Sequence, residues 1–247
     1  GNYTDRNLST WLKNHIIKSE GFKESSYYAT AEEQRRGQVT IGCGTSYLYL
    51  GNGKPYNNGY SYGKYVNGGN GVKPGDTLSS LKVKMGYPNL TSKQFAEQLV
   101  INYILGDGVS TFLFLNVFQK NNVPYNELVK DVLLEWAYGS GSVHKFAPQK
   151  QGFTLLVNAL RNGDKMAIAS AYAYWRYTYY KENTVSGQWA VSKYGWMARV
   201  YSCAMHILSK EITNSLLVLG YNSSNKLLSN TNYELVFKRD LGIQIKM

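Results

Sequence analysis

Two short stretches decide the expected fold: KSEGF at residues 18–22 and TIGCG at residues 40–44. Upstream, apolar residues recur at helical spacing from Leu8, which predicts a first helix that ends at the glycine after Glu20. Residues 38–50 combine β-branched and aromatic side chains with glycines, which is typical of a strand or hairpin. A carboxylate at a helix end that faces a hairpin across a cleft suits a general acid, because partial burial raises its pKa. Glu20 stands at such a helix end, but for an isolated glutamate a solvated charge at the end of the helix is the more common role.

The rest of the chain changes character at residue 88. Residues 51–75, the tyrosine-rich tract, are dense in Gly, Asn, Tyr and Lys. The interleaved tyrosines indicate short β-segments and loops that pack on another part of the protein. After Pro88, Thr91 and Gln94 form a capping box that starts a helix. Further helical patterns follow at residues 111–119, 125–138, 153–162, 165–180 and 195–208. The sequence thus predicts a mostly helical protein with one small β-rich part near the front.

The composition indicates a protein with a substantial core and an anionic partner. The chain has 247 residues, 43% of them hydrophobic, and a formal net charge of +11. Nucleic acid, an anionic membrane surface and an acidic cell-wall polymer would all suit this charge, but no nucleic-acid-binding motif is recognisable. No apolar run approaches the roughly 18 to 20 residues of a membrane span. The 22 tyrosines and 5 tryptophans suit sugars and bases alike, or simply pack at half-exposed positions.

The cysteines and histidines give little support to a metal site or a disulfide framework. Cys43 and Cys203 are far apart in sequence and lack metal-type spacing, so we expect two buried free thiols. The three histidines, His15, His144 and His206, form no cluster with carboxylates in the sequence. We therefore expect no catalytic metal and no cofactor.

The two stretches resemble the phage lysozymes, glycoside hydrolase family 24, in which a helix ending in Glu-Gly leads to a hairpin carrying Thr-Ile-Gly-x-Gly. By position, Glu20 matches the family's acid and Thr40 the threonine that helps to hold the attacking water. The resemblance covers about residues 8–208 in the family's order. It continues through residues 90–99, 127–141, 153–175 and 195–208.

The resemblance implies an α+β, lysozyme-like fold with a substrate cleft between two lobes. The small β-rich lobe would take about residues 22–88, and the larger helical lobe residues 89–210 together with the first helix. A catalytic domain of residues 1–210 would then be followed by a C-terminal appendage of residues 211–247.

The resemblance also implies an activity, a partner and a place of action. The protein would be an N-acetylmuramidase that cleaves the β-1,4 bond between N-acetylmuramic acid and N-acetylglucosamine in the bacterial cell wall. It would belong to a bacteriophage, in the virion or the infected cell, with peptidoglycan and other virion or tail proteins as partners. A lytic transglycosylase, a chitosanase-like hydrolase and a glycan-binding virion module without turnover stay open as alternatives.

Three departures from the family pattern bear on the site. The separation of 20 positions between Glu20 and Thr40 is about five longer than the family's spacing, so the hairpin is enlarged. The family's Asp or Cys position falls on Thr30 in one alignment and on Gln34 in another. Thr45 follows the TIGCG stretch, where the family usually has His.

An inverting glycosidase needs a second carboxylate, and Glu33 is the candidate, with Glu32 next. If these neighbours lie on an extended segment, they point to opposite faces and only one can face the cleft. Alternatively, both are solvated at a loop tip beside Arg35 and Arg36. The resemblance also places Arg199 in the closing helix, where a basic residue near the cleft would orient Glu20; as a surface arginine it would have no such role.

Overall fold

The computed structural model describes residues 8–62, 69–106, 114–140, 151–162, 164–183, 199–210 and 238–242. These residues are mostly helical and include one two-stranded antiparallel sheet, which is compatible with the expected α+β class. Among the described helices, none is both long and apolar enough to cross a bilayer.

The chain divides into two compact units. The first, which we call the N-terminal unit, comprises Thr4–Leu113 and Leu134–Gly141. The second, the C-terminal unit, comprises Gly1–Tyr3, Phe114–Leu133 and Ser142–Met247.

The N-terminal unit begins with helix α1, Thr10–Glu20, as the sequence predicts. Ser9 caps it, since its hydroxyl accepts a hydrogen bond from the Leu12 N–H at 3.0 Å. The helix buries Leu12 and Ile16 completely. Gly21 ends it with a φ of 73°, a conformation that glycine adopts without strain.

Strands β1 (Lys23–Tyr27) and β2 (Thr40–Gly42) form the antiparallel sheet, with Lys23 opposite Gly42 and Tyr27 opposite Thr40. Of the strand or hairpin predicted at residues 38–50, residues 40–42 form a strand, and their partner lies upstream at residues 23–27. The first strand of the sheet was not identified from the sequence, because its residues KESSY alternate only weakly between apolar and polar types.

The enlargement of the hairpin is a short helix, α2, at Ala31–Arg36. The Thr30 hydroxyl caps its start by accepting from the Glu33 N–H at 3.0 Å, and Gly37 ends it in the left-handed conformation. The expectation of an extended segment or loop tip at Glu32 and Glu33 is wrong. A good N-cap followed by strong helix formers, with acids in the first turn and arginines in the last, favours the helix.

The tyrosine-rich tract forms the short β-segments and loops expected of it. Isolated bridges pair Tyr47 with Gly71, Tyr49 with Pro55, and Tyr60 with Asn70. The ring of Tyr47, just before the tract, stacks on the ring of Tyr103 in the long helix that follows, with 5.9 Å between the ring centroids. Tyr103 is therefore part of the surface on which this region packs.

Two helices follow the tract. Helix α3 (Leu78–Lys84), which the sequence analysis did not identify, begins after the N-cap Thr77. Helix α4 (Ser92–Gly106) starts with the predicted capping box: the Gln94 N–H donates to the Thr91 hydroxyl at 3.1 Å, and the Thr91 N–H to the Gln94 side chain at 3.0 Å. Helix α4 packs against α1, α3 and β2. Each large apolar side chain that it buries contributes about 1.5–3 kcal/mol to stability.

Glu24 of β1 joins the sheet to the starts of both helices. One carboxylate oxygen accepts from the Ser79 hydroxyl at 2.8 Å, from the Ser79 N–H at 3.3 Å and from the Ser92 hydroxyl at 3.2 Å. A negative charge is also favourable near helix N-termini. Glu24 therefore stabilises the N-terminal unit through hydrogen bonds between the sheet and these two helices.

We expect Glu24→Ala to lower the free energy of unfolding by about 1–2 kcal/mol, because two serine hydroxyls lose a charged acceptor at a partly exposed site. Glu24→Gln, which keeps an acceptor oxygen, should lose less. Urea denaturation measures both. If Glu24→Ala is as stable as the unchanged protein, these hydrogen bonds make no net contribution to the free energy of unfolding.

The C-terminal unit is mostly helical in its described part, with turn and coil at residues 120–126. It contains a π-helical segment at Phe114–Gln119, the first half of helix α5 (Glu127–Ser140), helix α6 (Gln151–Asn162), helix α7 (Lys165–Asn183), and helical residues 199–207 and 238–241. The predicted helical patterns are thus confirmed at these positions, with the π-helical geometry of the first as a difference. Parts of two patterns, at residues 111–113 and 195–198, lie outside the described residues.

Residues 238–242 pack within the C-terminal unit. Leu241 is buried, and its carbonyl accepts from the Ser170 hydroxyl of α7 at 2.6 Å. Tyr201 donates to Asp240. The remainder of the predicted appendage at residues 211–247 lies outside the described residues.

Cys43 and Cys203 are both buried, and neither is in a disulfide, as the sequence predicts.

Candidate functional site

The backbone places the candidate acid at the junction of α1 and β1. Glu20 is the last residue of α1, and Gly21 and Phe22 link it to Lys23, which lies opposite Gly42 of β2. Three residues of chain span at most about 10 Å. The main chain of Glu20 therefore lies close to the end of the sheet where the glycine-rich turn begins.

Thr40 begins β2 and lies at the other end of the ladder, opposite Tyr27. Its side chain is 5% exposed, and its hydroxyl oxygen lies 3.1 Å from the hydroxyl oxygen of Ser46, which is also buried. The hydroxyl predicted to hold water is therefore fixed by a second hydroxyl.

The turn after Thr40 is tightly closed. Ile41 and Thr45 exchange both backbone hydrogen bonds, at 2.9 and 3.0 Å. Gly42 and Gly44 have φ values of 64° and 81°, which disfavour other residues. A Cβ at Gly42 would also lie 3.1 Å from the Cβ of Ala96 on α4. The glycines of the TIGCG stretch thus serve the turn and its close packing on α4.

Tyr138 near the end of α5 holds this turn from the side. Its hydroxyl donates to the Cys43 carbonyl at 2.6 Å and lies 3.3 Å from the Thr45 hydroxyl oxygen. Thr45, which stands where the family usually has His, is therefore part of a polar contact in the N-terminal unit.

The two glutamates of α2 have different surroundings. Glu32 is exposed and paired with Arg35, whose hydrogen bond and charge lower the pKa of the Glu32 carboxyl. Glu33 is half-buried, and its Oε2 is shielded from solvent without a hydrogen-bond partner among the described residues. A shielded carboxylate oxygen without a donor is unfavourable, and a water or a sugar hydroxyl would supply one.

The tyrosine-rich tract supports α2. The Tyr60 hydroxyl donates to the carbonyl of Gly37, the residue that ends α2, at 2.6 Å. A Cβ at Gly37 would lie 3.2 Å from that hydroxyl and 3.8 Å from the Cβ of Tyr62. Tyr62 is buried, and burial raises the pKa of its hydroxyl. The ring of Tyr62 packs on that of Tyr47 at 5.9 Å.

Of the predicted site residues, Thr40 is joined to a polar cluster and Glu33 is not. Within the described part of the chain, no hydrogen bond joins Glu33 Oε2 to Thr40, and the backbone of Glu20 lies at the end of α1. Arg199 is half-buried at the start of the helical residues 199–207, and its relation to Glu20 stays a prediction.

Sequence reasoning did not identify Ser46 and Tyr138. Ser46 follows the motif directly, and Tyr138 ends a predicted helical pattern just before a glycine, so both lie near recognised features. Neither position carries a signal that marks it as functional.

The sequence matches no protein-family model, and no curated protein is significantly similar to it.

Proposed function

We propose that this protein is a peptidoglycan hydrolase, an N-acetylmuramidase of the phage lysozyme type. The observation that supports it best is the combination of the two stretches with their geometry: a helix ends at Glu20, and a strand beginning at Thr40 pairs antiparallel with the strand that follows that helix. The lysozyme-like lobes, with a cleft that accepts a glycan strand, are part of this proposal.

The proposed reaction is a single displacement. The Glu20 carboxyl donates its proton to the glycosidic oxygen as the bond from that oxygen to C1 of N-acetylmuramic acid breaks. A water held by Thr40 adds its oxygen to C1 and gives its proton to Glu33. Inverting enzymes separate the two carboxyl groups by about 6.5 to 9.5 Å to admit this water. No cofactor takes part.

Glu33 fits the second role better than Glu32. Glu32 is bound at the surface to Arg35, which holds its carboxylate in the charged form, whereas one carboxylate oxygen of Glu33 accepts no hydrogen bond from the described residues. A base that receives a proton from water must be able to face that water.

A second candidate function is glycan binding without turnover, in a virion module that has kept the fold. Thr30, one candidate for the family's Asp or Cys position, uses its hydroxyl to cap α2. On this alternative, the enlarged hairpin stabilises a binding surface and Glu33 has no catalytic role.

Purified cell walls distinguish these functions. Falling turbidity with release of reducing N-acetylmuramic acid ends supports the hydrolase, and an anhydro-muramic product would identify a lytic transglycosylase instead. Cleavage of chitosan but not of walls would favour the chitosanase-like alternative. Co-sedimentation with walls without any soluble product would support the binding module.

The net charge of +11 leads to a prediction about salt. We expect lysis to weaken steeply between low and physiological ionic strength, because attraction to an anionic wall is screened beyond about 10 Å at 0.1 M salt. Turbidity assays over a salt series, with an uncharged soluble glycan as control substrate, measure the effect. Equal salt dependence on both substrates would show that wall attraction is not the cause.

A further inference from the structure

We propose that Ser46 is a positioning residue for Thr40 and that Tyr138 holds the turn that carries Ser46. This inference rests on the proposed function, since it concerns the hydroxyl that would hold the attacking water.

The hydroxyl pair lies in a largely buried position. Thr40 is 5% and Ser46 8% exposed, and their hydroxyl oxygens are 3.1 Å apart. A hydroxyl has one hydrogen to donate and two lone pairs to accept. Either hydroxyl of the pair can be the donor, and we assign that role to Thr40, which leaves the lone pairs of Thr40 for a hydrogen of the water. Because the χ1 angle of a threonine is restricted, the pairing fixes where these lone pairs point.

This orientation suits the proposed displacement. A water that donates one hydrogen to Thr40 and the other to Glu33 keeps a lone pair for attack on C1. Without Ser46, the Thr40 hydroxyl would turn freely and donate to the water in part of the molecules, which would occupy the attacking lone pair. Ser46 therefore acts through Thr40 and does not touch the substrate.

The backbone of Ser46 is held independently of its hydroxyl. The Ser46 carbonyl accepts from the Val72 N–H at 3.0 Å, and the neighbouring Leu48 N–H donates to the Asn70 carbonyl at 2.8 Å. Removal of the hydroxyl should therefore leave the fold intact.

Tyr138 fixes the turn between Thr40 and Ser46 from one side. Its hydroxyl donates to the Cys43 carbonyl, which leaves its oxygen to accept from the Thr45 hydroxyl. Its ring packs edge-on against Tyr103 at 5.6 Å, so the hydroxyl is aimed by buried aromatic contacts. Tyr138→Phe removes both polar contacts and keeps the ring.

A double-mutant cycle tests the role of Ser46. We would compare the unchanged protein with Thr40→Val, Ser46→Ala and the double variant, and measure kcat and KM on soluble wall fragments together with thermal unfolding. Ser46→Ala should lower kcat about tenfold, the usual scale of one buried hydrogen bond, and leave KM within about twofold. In the Thr40→Val background, Ser46→Ala should lower kcat by less than about twofold. Tyr138→Phe should also lower kcat more than it raises KM.

Ser80→Ala is the matched control, because Ser80 is exposed on α3 and its removal should change neither constant. Should Ser46→Ala fail to fold, Ser46→Cys replaces it in the same cycle. If the unchanged protein cleaves and the effects of Thr40→Val and Ser46→Ala multiply independently, this inference is overturned and the proposed function stands. If the unchanged protein does not cleave, the proposed function fails and the inference fails with it.

Discussion

Glu20→Gln is expected to abolish wall lysis, with a rate lower by about 10²- to 10⁴-fold, the usual contribution of general acid catalysis. The amide has the shape of the carboxyl but cannot give up a proton to the glycosidic oxygen. Because Glu20 ends α1 and the chain turns at Gly21, the substitution leaves the cap of that helix unchanged. The initial rate of turbidity loss on purified walls measures the effect.

Glu97→Gln is the control, since Glu97 lies partly exposed on α4 and has no place in the proposed reaction. Unfolding curves of both variants should match that of the unchanged protein. Retention of more than half the rate by Glu20→Gln would refute its assignment as the acid.

Glu33→Gln is expected to lower turnover by about 10²-fold or more, whereas Glu32→Gln should leave it near normal. The reason is the difference in their surroundings on α2. Glu33 has a shielded oxygen that accepts no hydrogen bond within the described parts of the chain, and Glu32 is exposed and bound to Arg35. Steady-state kinetics on soluble wall fragments, with unfolding curves for each variant, separate loss of activity from loss of structure.

Near-normal activity of both variants would leave the water to Thr40 and Thr30 alone, and the mechanism with paired carboxylates would be wrong. Glu20 could still be the acid in that case. An equal, large loss in both variants would indicate that α2 as a whole, rather than one carboxylate, matters for activity.

The elements that the sequence predicts well are those with strong local signals. Helix α1 shows an apolar stripe and a terminal glycine, and helix α4 has a capping box whose two hydrogen bonds are both present. These signals depend on residues within one turn of each other.

Short elements are harder to predict from such signals. Helix α2 has six residues and no buried one, so it has no apolar periodicity to detect. Its local signs, which are the N-cap at Thr30, the charges at its two ends and the glycine after it, also suit a polar loop tip. The misassignment of Glu32 and Glu33 to an extended segment follows from that missing signal.

The polar cluster around Thr40 depends on contacts between distant parts of the chain. Tyr138 reaches the Cys43 carbonyl across 95 positions of sequence. Position by position, nothing separates this tyrosine from the others in a chain that has 22 of them. Such a contact follows from packing, which a single sequence does not reveal.

The hydrogen bond from Tyr60 to the Gly37 carbonyl links the tyrosine-rich tract to helix α2, which lies between the two strands. The added helix carries the candidate base, and the tyrosine-rich tract braces that helix at its last turn. Neither helix α2 nor the tract is then dispensable for the proposed site. A shortened tract would remove the hydrogen bond that supports the end of helix α2. An engineered hairpin that carries this helix would therefore need the tract as well.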